Sequence, residues 1–206
     1  MARAAPDDGA ALGWRSHSGW AVLVAVTGTA RAPTVVARQR VELVDASLPR
    51  QPYHAAAGRT LGAAAALIAK VEAAAAAAAA DATKASMAAL ATAGHPVVAA
   101  GVVGGGRRLP DDLVKILGAH ALLHSAEGDL YEQALAEAAA RVGLPVSLIP
   151  LKTVITDAAA ALHTTATALD AALKTAGRTL GPPWQKDHRE AAAAALAALA
   201  AVTRAP

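Results

Sequence analysis

The chain contains 206 residues and no cysteine, which excludes disulfides, thiolate nucleophiles and cysteine-ligated zinc. Apolar residues make up 55% of it, enough for the core of one domain, while an aromatic content of 2% disfavours a base-stacking surface. The formal net charge of +3 is too small to indicate a nucleic-acid-binding protein by itself. Asparagine is absent and alanine is abundant, as is typical of GC-rich bacterial genomes.

The amino-terminal segment does not have the pattern of a secretory signal, because Asp7 and Asp8 interrupt the stretch that would have to be apolar. The alanine-rich run from Ala191 to Thr203 is shorter than the ~18 apolar residues of a membrane-spanning helix. We therefore expect a cytoplasmic protein without membrane contact. Residues 1–12 are expected to form a loose tail, and residues 13–206 a single domain.

The first half of the domain begins with strand patterns and continues as a long helix. Gly19–Val26 is almost continuously apolar, as in a strand covered on both faces, and Thr34–Val44 alternates between apolar and polar residues. Together they predict a β-hairpin. Tyr53–Ala93 is rich in alanine, the best helix former, and we expect this helix to break near Gly58 or Gly62.

The second half alternates between strands and helices. Short buried strands are predicted at His95–Val103 and Leu144–Ile149, and Trp184 is expected to cover the body of the domain from a proline-rich loop. Helices are predicted after Pro110 and at Glu127–Val142, Asp157–Ala176 and Gln185–Val202. A hairpin followed by alternating helices and strands indicates an α/β fold with a mixed sheet.

The opening segment GWRSHSGWAV, at Gly13–Val22, resembles the first strand of the ribonuclease H-like superfamily, and most closely that of RuvC-type Holliday-junction resolvases. Further segments resemble that family in the same order: VVAAGVV at Val97–Val103, the helix and strand of Glu127–Val154, and the last helix at Asp187–Leu199. The resemblance implies an RNase H-like mixed sheet that opens with a β-hairpin and is flanked by alanine-rich helices. It also implies an association with nucleic acid.

The metal ligands of that family are incomplete in this chain. Its nucleases hold two metal ions with carboxylates from the first strand, the middle strand and the last helix. Here Arg15 stands at the first-strand position, Val97–Gly106 contains no carboxylate, and only Asp187 and Glu190 remain. The resemblance therefore implies a divergent or lost nuclease site. The chain also resembles a second RNase H-like family, the middle domain of eukaryotic-type release factors, which keeps the fold without these carboxylates.

A candidate site follows from the same resemblance, since the first strand and the start of the last helix lie side by side in this fold. The predicted catalytic residues are Asp187, Glu190, His17 and His188, and Arg15 is predicted to bind an anion. Histidine and carboxylate side chains together can hold a single divalent metal or form an acid–base pair. Scattered histidines on the surface or at helix ends are the alternative interpretation.

Further binding residues are predicted outside the first strand and the last helix. Gly104–Gly106 follows a strand and precedes Arg107 and Arg108, so its backbone N–H groups and these cations are suited to phosphate, although a flexible turn has the same sequence. We also predict that His124 and Glu127 are binding residues. The segment HALLH, which contains His124, lacks the glutamate of an HExxH zinc motif, so its spacing alone is a weak signal.

Two functions remain open from the sequence, and so does the question of whether the protein is an enzyme. The first is a nucleic-acid-associated RNase H-like protein with a divergent or lost metal-dependent nuclease site. The second is a non-catalytic scaffold that forms a homodimer through its alanine-rich helices. A third, resembling the release-factor domain, is disfavoured because the chain has no Gly-Gly-Gln tripeptide.

Overall fold

A five-stranded mixed sheet lies at the centre of the computed structural model, which describes residues 9–105 and 108–203. The strand order is β3-β2-β1-β4-β5. The first three strands pair antiparallel, whereas β1 pairs with β4, and β4 with β5, in parallel. The strands are β1 (Ala10–His17), β2 (Trp20–Gly28), β3 (Pro33–Glu42), β4 (Val97–Val103) and β5 (Val146–Ile149). This order confirms the predicted α/β class with a mixed sheet.

The predicted hairpin is present as β2 and β3, in which Val24 pairs with Arg38. The start of the domain differs from the prediction. Residues Ala10–Leu12, assigned to the loose tail, are fully buried strand residues, because their apolar side chains join β1 to both β2 and β4. Residues 1–8 of that tail lie outside the described residues.

Helices cover both faces of the sheet. On one face α1 (Pro52–Ala56), α2 (Leu61–Thr92), α3 (Leu113–Leu117) and α4 (His120–Arg141) build one core; on the other, α5 (Val154–Ala161), α6 (Ala166–Ala176) and α7 (Lys186–Thr203) build a second. The expected break near Gly58 separates α1 from α2. The segment predicted as one helix, Asp157–Ala176, is two, because His163 has a left-handed φ of 52° and Thr165 caps the start of α6 through the Ala168 N–H.

Helix α7 packs directly on the backbone of the sheet. A Cβ at Gly13 would lie 1.9 Å from the Ala191 carbonyl oxygen, and a Cβ at Gly101 would lie 2.1 Å from that of Ala194. Only glycine permits this close approach, because any larger residue would overlap the helix backbone. The first turn of α7 is thereby fixed beside the carboxyl end of β1.

Among the described residues, helix α2 alone is long and apolar enough to cross a membrane. Its Ile68 and Val71 are buried in the core, while Glu72 and Asp81 are exposed along it, and 28% of its most apolar 18-residue window is buried. One such helix is weak evidence for a membrane segment, since core helices of soluble proteins pass the same test. Its packing makes α2 an element of the α/β domain.

Candidate functional site

Two side chains of β1 contact two acidic side chains of α7. Arg15 and His17 are two residues apart and therefore point to the same face of the sheet. The Arg15 Nε donates to Glu190 Oε2 at 3.2 Å, and His17 Nε2 lies 3.1 Å from Asp187 Oδ2. Asp187 and Glu190 are three apart on a helix, so they too share one face. The predicted meeting of the first strand and the last helix is thus observed as two polar contacts.

The Arg15–Glu190 pair is largely shielded from water. The Glu190 side chain is 5% exposed and that of Arg15 is 16% exposed. The exposed Lys186 Nζ approaches the second Glu190 oxygen at 3.5 Å, so one carboxylate is shared by two cations. Arg15 also donates from Nη1 to the Ser16 carbonyl oxygen. These bonds hold the guanidinium against α7.

His17 belongs to a stack of planar groups at the turn between β1 and β2. Its ring lies on the Trp20 ring with centroids 4.1 Å apart and planes 9° apart, and the Arg40 Cζ lies 3.7 Å from the Trp20 ring centroid. Burial, and next the nearby Arg15 charge, lower the pKa of His17 below 6.5, although Asp187 acts in the opposite direction. The lowered pKa favours the neutral form of His17.

A cavity of about 220 Å³ opens beside these contacts, at the carboxyl ends of β1 and β5 and along α4. Ligand clefts of open α/β sheets lie at this kind of strand end. Four predicted residues line it, namely Arg15, His17, His124 and Glu127. The lining also includes Ser16, Ser18, Gly128, Glu132 and Leu151.

Glu132 was missed by the sequence analysis. It is 4% exposed, and its Oε2 accepts a hydrogen bond from the Gly105 N–H at 2.8 Å, at the end of β4. A signal for it exists in the sequence: Glu127 and Glu132 both fall among the buried residues of α4, such as Tyr131 and Leu135. Charged residues on the buried face of a helix are rare without a partner or a role.

Two other predicted site residues lie elsewhere. His188 accepts a hydrogen bond at Nδ1 from the Gln185 N–H at 3.2 Å and its ring contacts Trp184, so it caps the start of α7 and does not line the cavity. Arg108 is exposed and is also absent from the cavity lining. Arg107 lies outside the described residues, so the phosphate role of this segment stays a prediction.

Trp184 is half-buried, as expected of a side chain that covers the body of the domain. Its Nε1 donates to the Leu173 carbonyl oxygen at 3.0 Å, and its ring lies against Gly177. The loop that carries it is held by Arg38, which donates to the carbonyl oxygens of residues 180–183. Arg38 therefore has a structural role.

No family model and no curated protein matches the chain. Among solved structures, it is similar to Thermus thermophilus RuvC in complex with a Holliday junction substrate, with a TM-score of 0.50, 13% identity and coverage of 95% of this chain and 96% of that chain. A second Thermus thermophilus RuvC structure has a TM-score of 0.48 and 12% identity, over 91% and 92% of the two chains. The RuvC-like, RNase H-like fold expected from the sequence is thus confirmed.

The residues of this chain do not fit the pair of metal ions that the fold implies. Mg²⁺ requires oxygen ligands. The first-strand position is occupied by the cation Arg15, which is bound to Glu190, and β4 consists of Val97–Val103, without a carboxylate. Glu190, one of the two acids left on α7, already neutralises two basic side chains. These residues are therefore unsuited to a reaction that needs two Mg²⁺ ions.

Proposed function

We propose that this protein is a nucleic-acid-associated RNase H-like protein that binds its partner without two-metal cleavage. The Arg15–Glu190 contact carries the proposal, since it places an ion pair where the fold's nucleases hold a metal between carboxylates. An arginine in this position favours an anionic ligand such as a phosphodiester. One of the similar solved structures is described as bound to a Holliday junction, which supports nucleic acid as the partner.

Exposed cations lie near the contacts of α7 with β1 and near the turn between β1 and β2. Arg40 and Arg50 are about half exposed and share the single carboxylate of Glu42, at 2.6 and 3.3 Å. Lys186 is 79% exposed and shares Glu190 with Arg15. Each shared carboxylate therefore leaves one positive charge in excess on the exposed side chains. Asp187, and Glu127 and Glu132 inside the cavity, oppose this excess, so contact with phosphates is expected at the exposed cations and not within the cavity. A rim of this kind contacts phosphates and carries no base-specific information.

The expected affinity is modest and depends on salt. A few cations that are partly neutralised by neighbouring acids release few counterions, so a Kd of about 10⁻⁴ to 10⁻⁶ M is expected at physiological salt. The half-buried Trp20 ring is already stacked on His17 and in contact with Arg40, which disfavours stacking of a base on it. Binding should therefore show little sequence preference.

Fluorescence anisotropy with a labelled four-way DNA junction and a matched duplex, in EDTA, tests the binding. We expect saturable binding that weakens with salt. The double variant Arg50→Ala/Lys186→Ala should bind several-fold more weakly, with a salt slope reduced by about one for each cation lost. Arg141→Ala is the matched control, because Arg141 is exposed and paired with Glu137 at the opposite end of α4. Absence of binding, or equal loss in the control, would contradict the proposal.

A self-associating scaffold is the second candidate, and the outer face of α2 favours it. This helix has 32 residues, and its exposed positions include Ala66, Ala69, Ala73 and Ala77. Small side chains allow two such helices to approach closely. Light scattering after size exclusion should then give a dimer that the variant Ala73→Glu/Ala77→Glu converts to a monomer. A strict monomer at high concentration would remove this candidate.

A further inference from the structure

Three histidines from two separate helices converge at the margin of the cavity. His54 lies on α1, and His120 and His124 occupy the first turns of α4, where residues four apart share a face. One ring nitrogen from each of the three lies within 4.8 Å of the others. His120 and His124 are exposed and His54 is half-buried, so the group opens to solvent.

The spacing of the nitrogens suits a tetrahedral ion. His120 Nε2 and His124 Nε2 are 3.2 Å apart. Metal–nitrogen bonds of about 2.0–2.1 Å place two ligands of a tetrahedral ion ~3.3 Å apart. The His54 ring centroid lies 4.5 Å from that of His124 and 5.3 Å from that of His120. Binding of an ion therefore requires the exposed imidazoles of His120 and His124 to rotate toward the His54 ring.

Glu127 fixes the orientation of His54. Its Oε1 accepts both the His54 backbone N–H at 3.1 Å and the His54 Nδ1 proton at 2.9 Å, since an ionised carboxylate only accepts. The Nε2 lone pair of His54 is therefore available for a ligand. A carboxylate that holds one imidazole nitrogen while the other binds a metal is the usual support of a metal-ligating histidine.

The second oxygen of Glu127 is an independent indication that this site takes a cation. Glu127 is 2% exposed, and its Oε2 is buried with no hydrogen-bond partner among the described residues. A buried carboxylate with an unsatisfied oxygen is costly unless a positive charge lies close by. A metal ion on His54 would supply that charge through the imidazole.

We propose that His54, His120 and His124 bind one Zn²⁺-class transition-metal ion, with Glu127 as the positioning residue and the fourth coordination site open to water. Imidazole suits Zn²⁺, Co²⁺, Ni²⁺ and Cu²⁺, whereas Mg²⁺ prefers oxygen. The site does not depend on nucleic-acid binding. His124 and Glu127 also line the cavity described above, which places the ion at its margin.

Calorimetric titration of the full chain, without a histidine tag, with Zn²⁺ tests the site, and Co²⁺ absorption reports its geometry. We expect one ion per chain, visible bands typical of tetrahedral Co²⁺, and no displacement by excess Mg²⁺. His120→Ala and His124→Ala, both at exposed positions, should weaken Zn²⁺ binding by more than tenfold. Glu127→Gln should weaken it by about 10- to 100-fold while the Co²⁺ spectrum keeps its tetrahedral form.

His95→Ala is the matched control, because His95 lies between α2 and β4 and outside the cluster. It should bind Zn²⁺ like the unchanged protein. Failure to observe a 1:1 complex, equal binding by His124→Ala, or displacement of Zn²⁺ by Mg²⁺ would overturn the proposal. Circular dichroism of each variant identifies any loss of binding that comes from unfolding, in which case the exposed-position variants decide.

Discussion

At the scale of single residues, the Arg15–Glu190 contact should contribute measurably to the free energy of unfolding. Replacing Arg15 by alanine leaves the 5%-exposed Glu190 side chain with the largely exposed Lys186, at 3.5 Å, as its remaining ion-pair partner. The buried charge is then only partly compensated, so we expect the free energy of unfolding to fall by about 3 kcal/mol or somewhat less. Urea denaturation measures this.

Two variants serve as controls for that loss. Arg141→Ala breaks the exposed pair with Glu137 and should change stability little, because exposed ion pairs contribute little. The double variant Arg15→Ala/Glu190→Gln should recover part of the stability, since the buried charge is gone. Equal stability of Arg15→Ala and the unchanged protein would mean that the pair does not organise the site.

His17 provides a prediction for pH dependence. Its pKa is lowered in the folded protein by burial and by Arg15, so the unfolded chain binds more protons just below pH 6.5. The contribution of His17 to stability is therefore complete above pH 6.5 and is lost as the pH falls through the lowered folded pKa. In an NMR titration the His17 ring should have a midpoint below 6.5, and Asp187→Asn should lower it further. A midpoint above 6.5 would contradict this environment.

The sequence could predict some of these residues because the family resemblance places the first strand against the last helix, which brings His17 to Asp187 and Arg15 to Glu190. It could not place His54 on Glu127, since these residues are 73 positions apart and belong to helices whose packing no local pattern specifies. Nor could it separate His188 from the site, because the capping contact with Gln185 depends on where α7 begins.

At the scale of elements, the packing of α7 on the sheet depends on glycine. Gly101→Ala would bring a methyl group to 2.1 Å from the Ala194 carbonyl oxygen, so α7 must shift away from β4. We expect a loss of about 2–3 kcal/mol in the free energy of unfolding, as is usual for overpacking.

Gly62→Ala is the matched control for that substitution. A Cβ at Gly62 meets nothing within 4 Å, and alanine is the better helix former, so stability should rise by about 0.5–1 kcal/mol. Thermal unfolding of both variants compares them directly. A neutral Gly101→Ala variant would show that α7 does not need this contact.

Helices and strands were predictable where the pattern of apolar residues is clear. The apolar run is nearly continuous in β2, alternates with polar residues in β3 and has helical spacing in α4. The division between α5 and α6 was not, because alanine-rich sequence continues on both sides of the break. The signals at the break are local ones: His163 adopts a left-handed φ, and Thr165 is a helix cap. Both residue types occur within helices as well, so the turn is decided by packing.

At the scale of the whole molecule, the fold resembles that of a two-metal nuclease, whereas the residues of the site do not suit two metal ions. The sheet order and the helices on both faces match a RuvC-like architecture, and 95% of the chain is covered by the comparison with the junction-bound RuvC structure. The centre of the site, however, holds Arg15 in contact with Glu190, and β4 offers no carboxylate. This combination is the basis for a nucleic-acid partner without two-metal cleavage.

Gel analysis of a labelled four-way DNA junction, incubated with the protein and Mg²⁺ or Mn²⁺, tests this account most directly. Binding is first established by anisotropy under the same conditions. We predict that the bound junction stays intact, because Arg15 occupies the first-strand position and β4 provides no carboxylate for the two ions. Cleavage that requires Mg²⁺ and is abolished by Asp187→Ala would contradict the account.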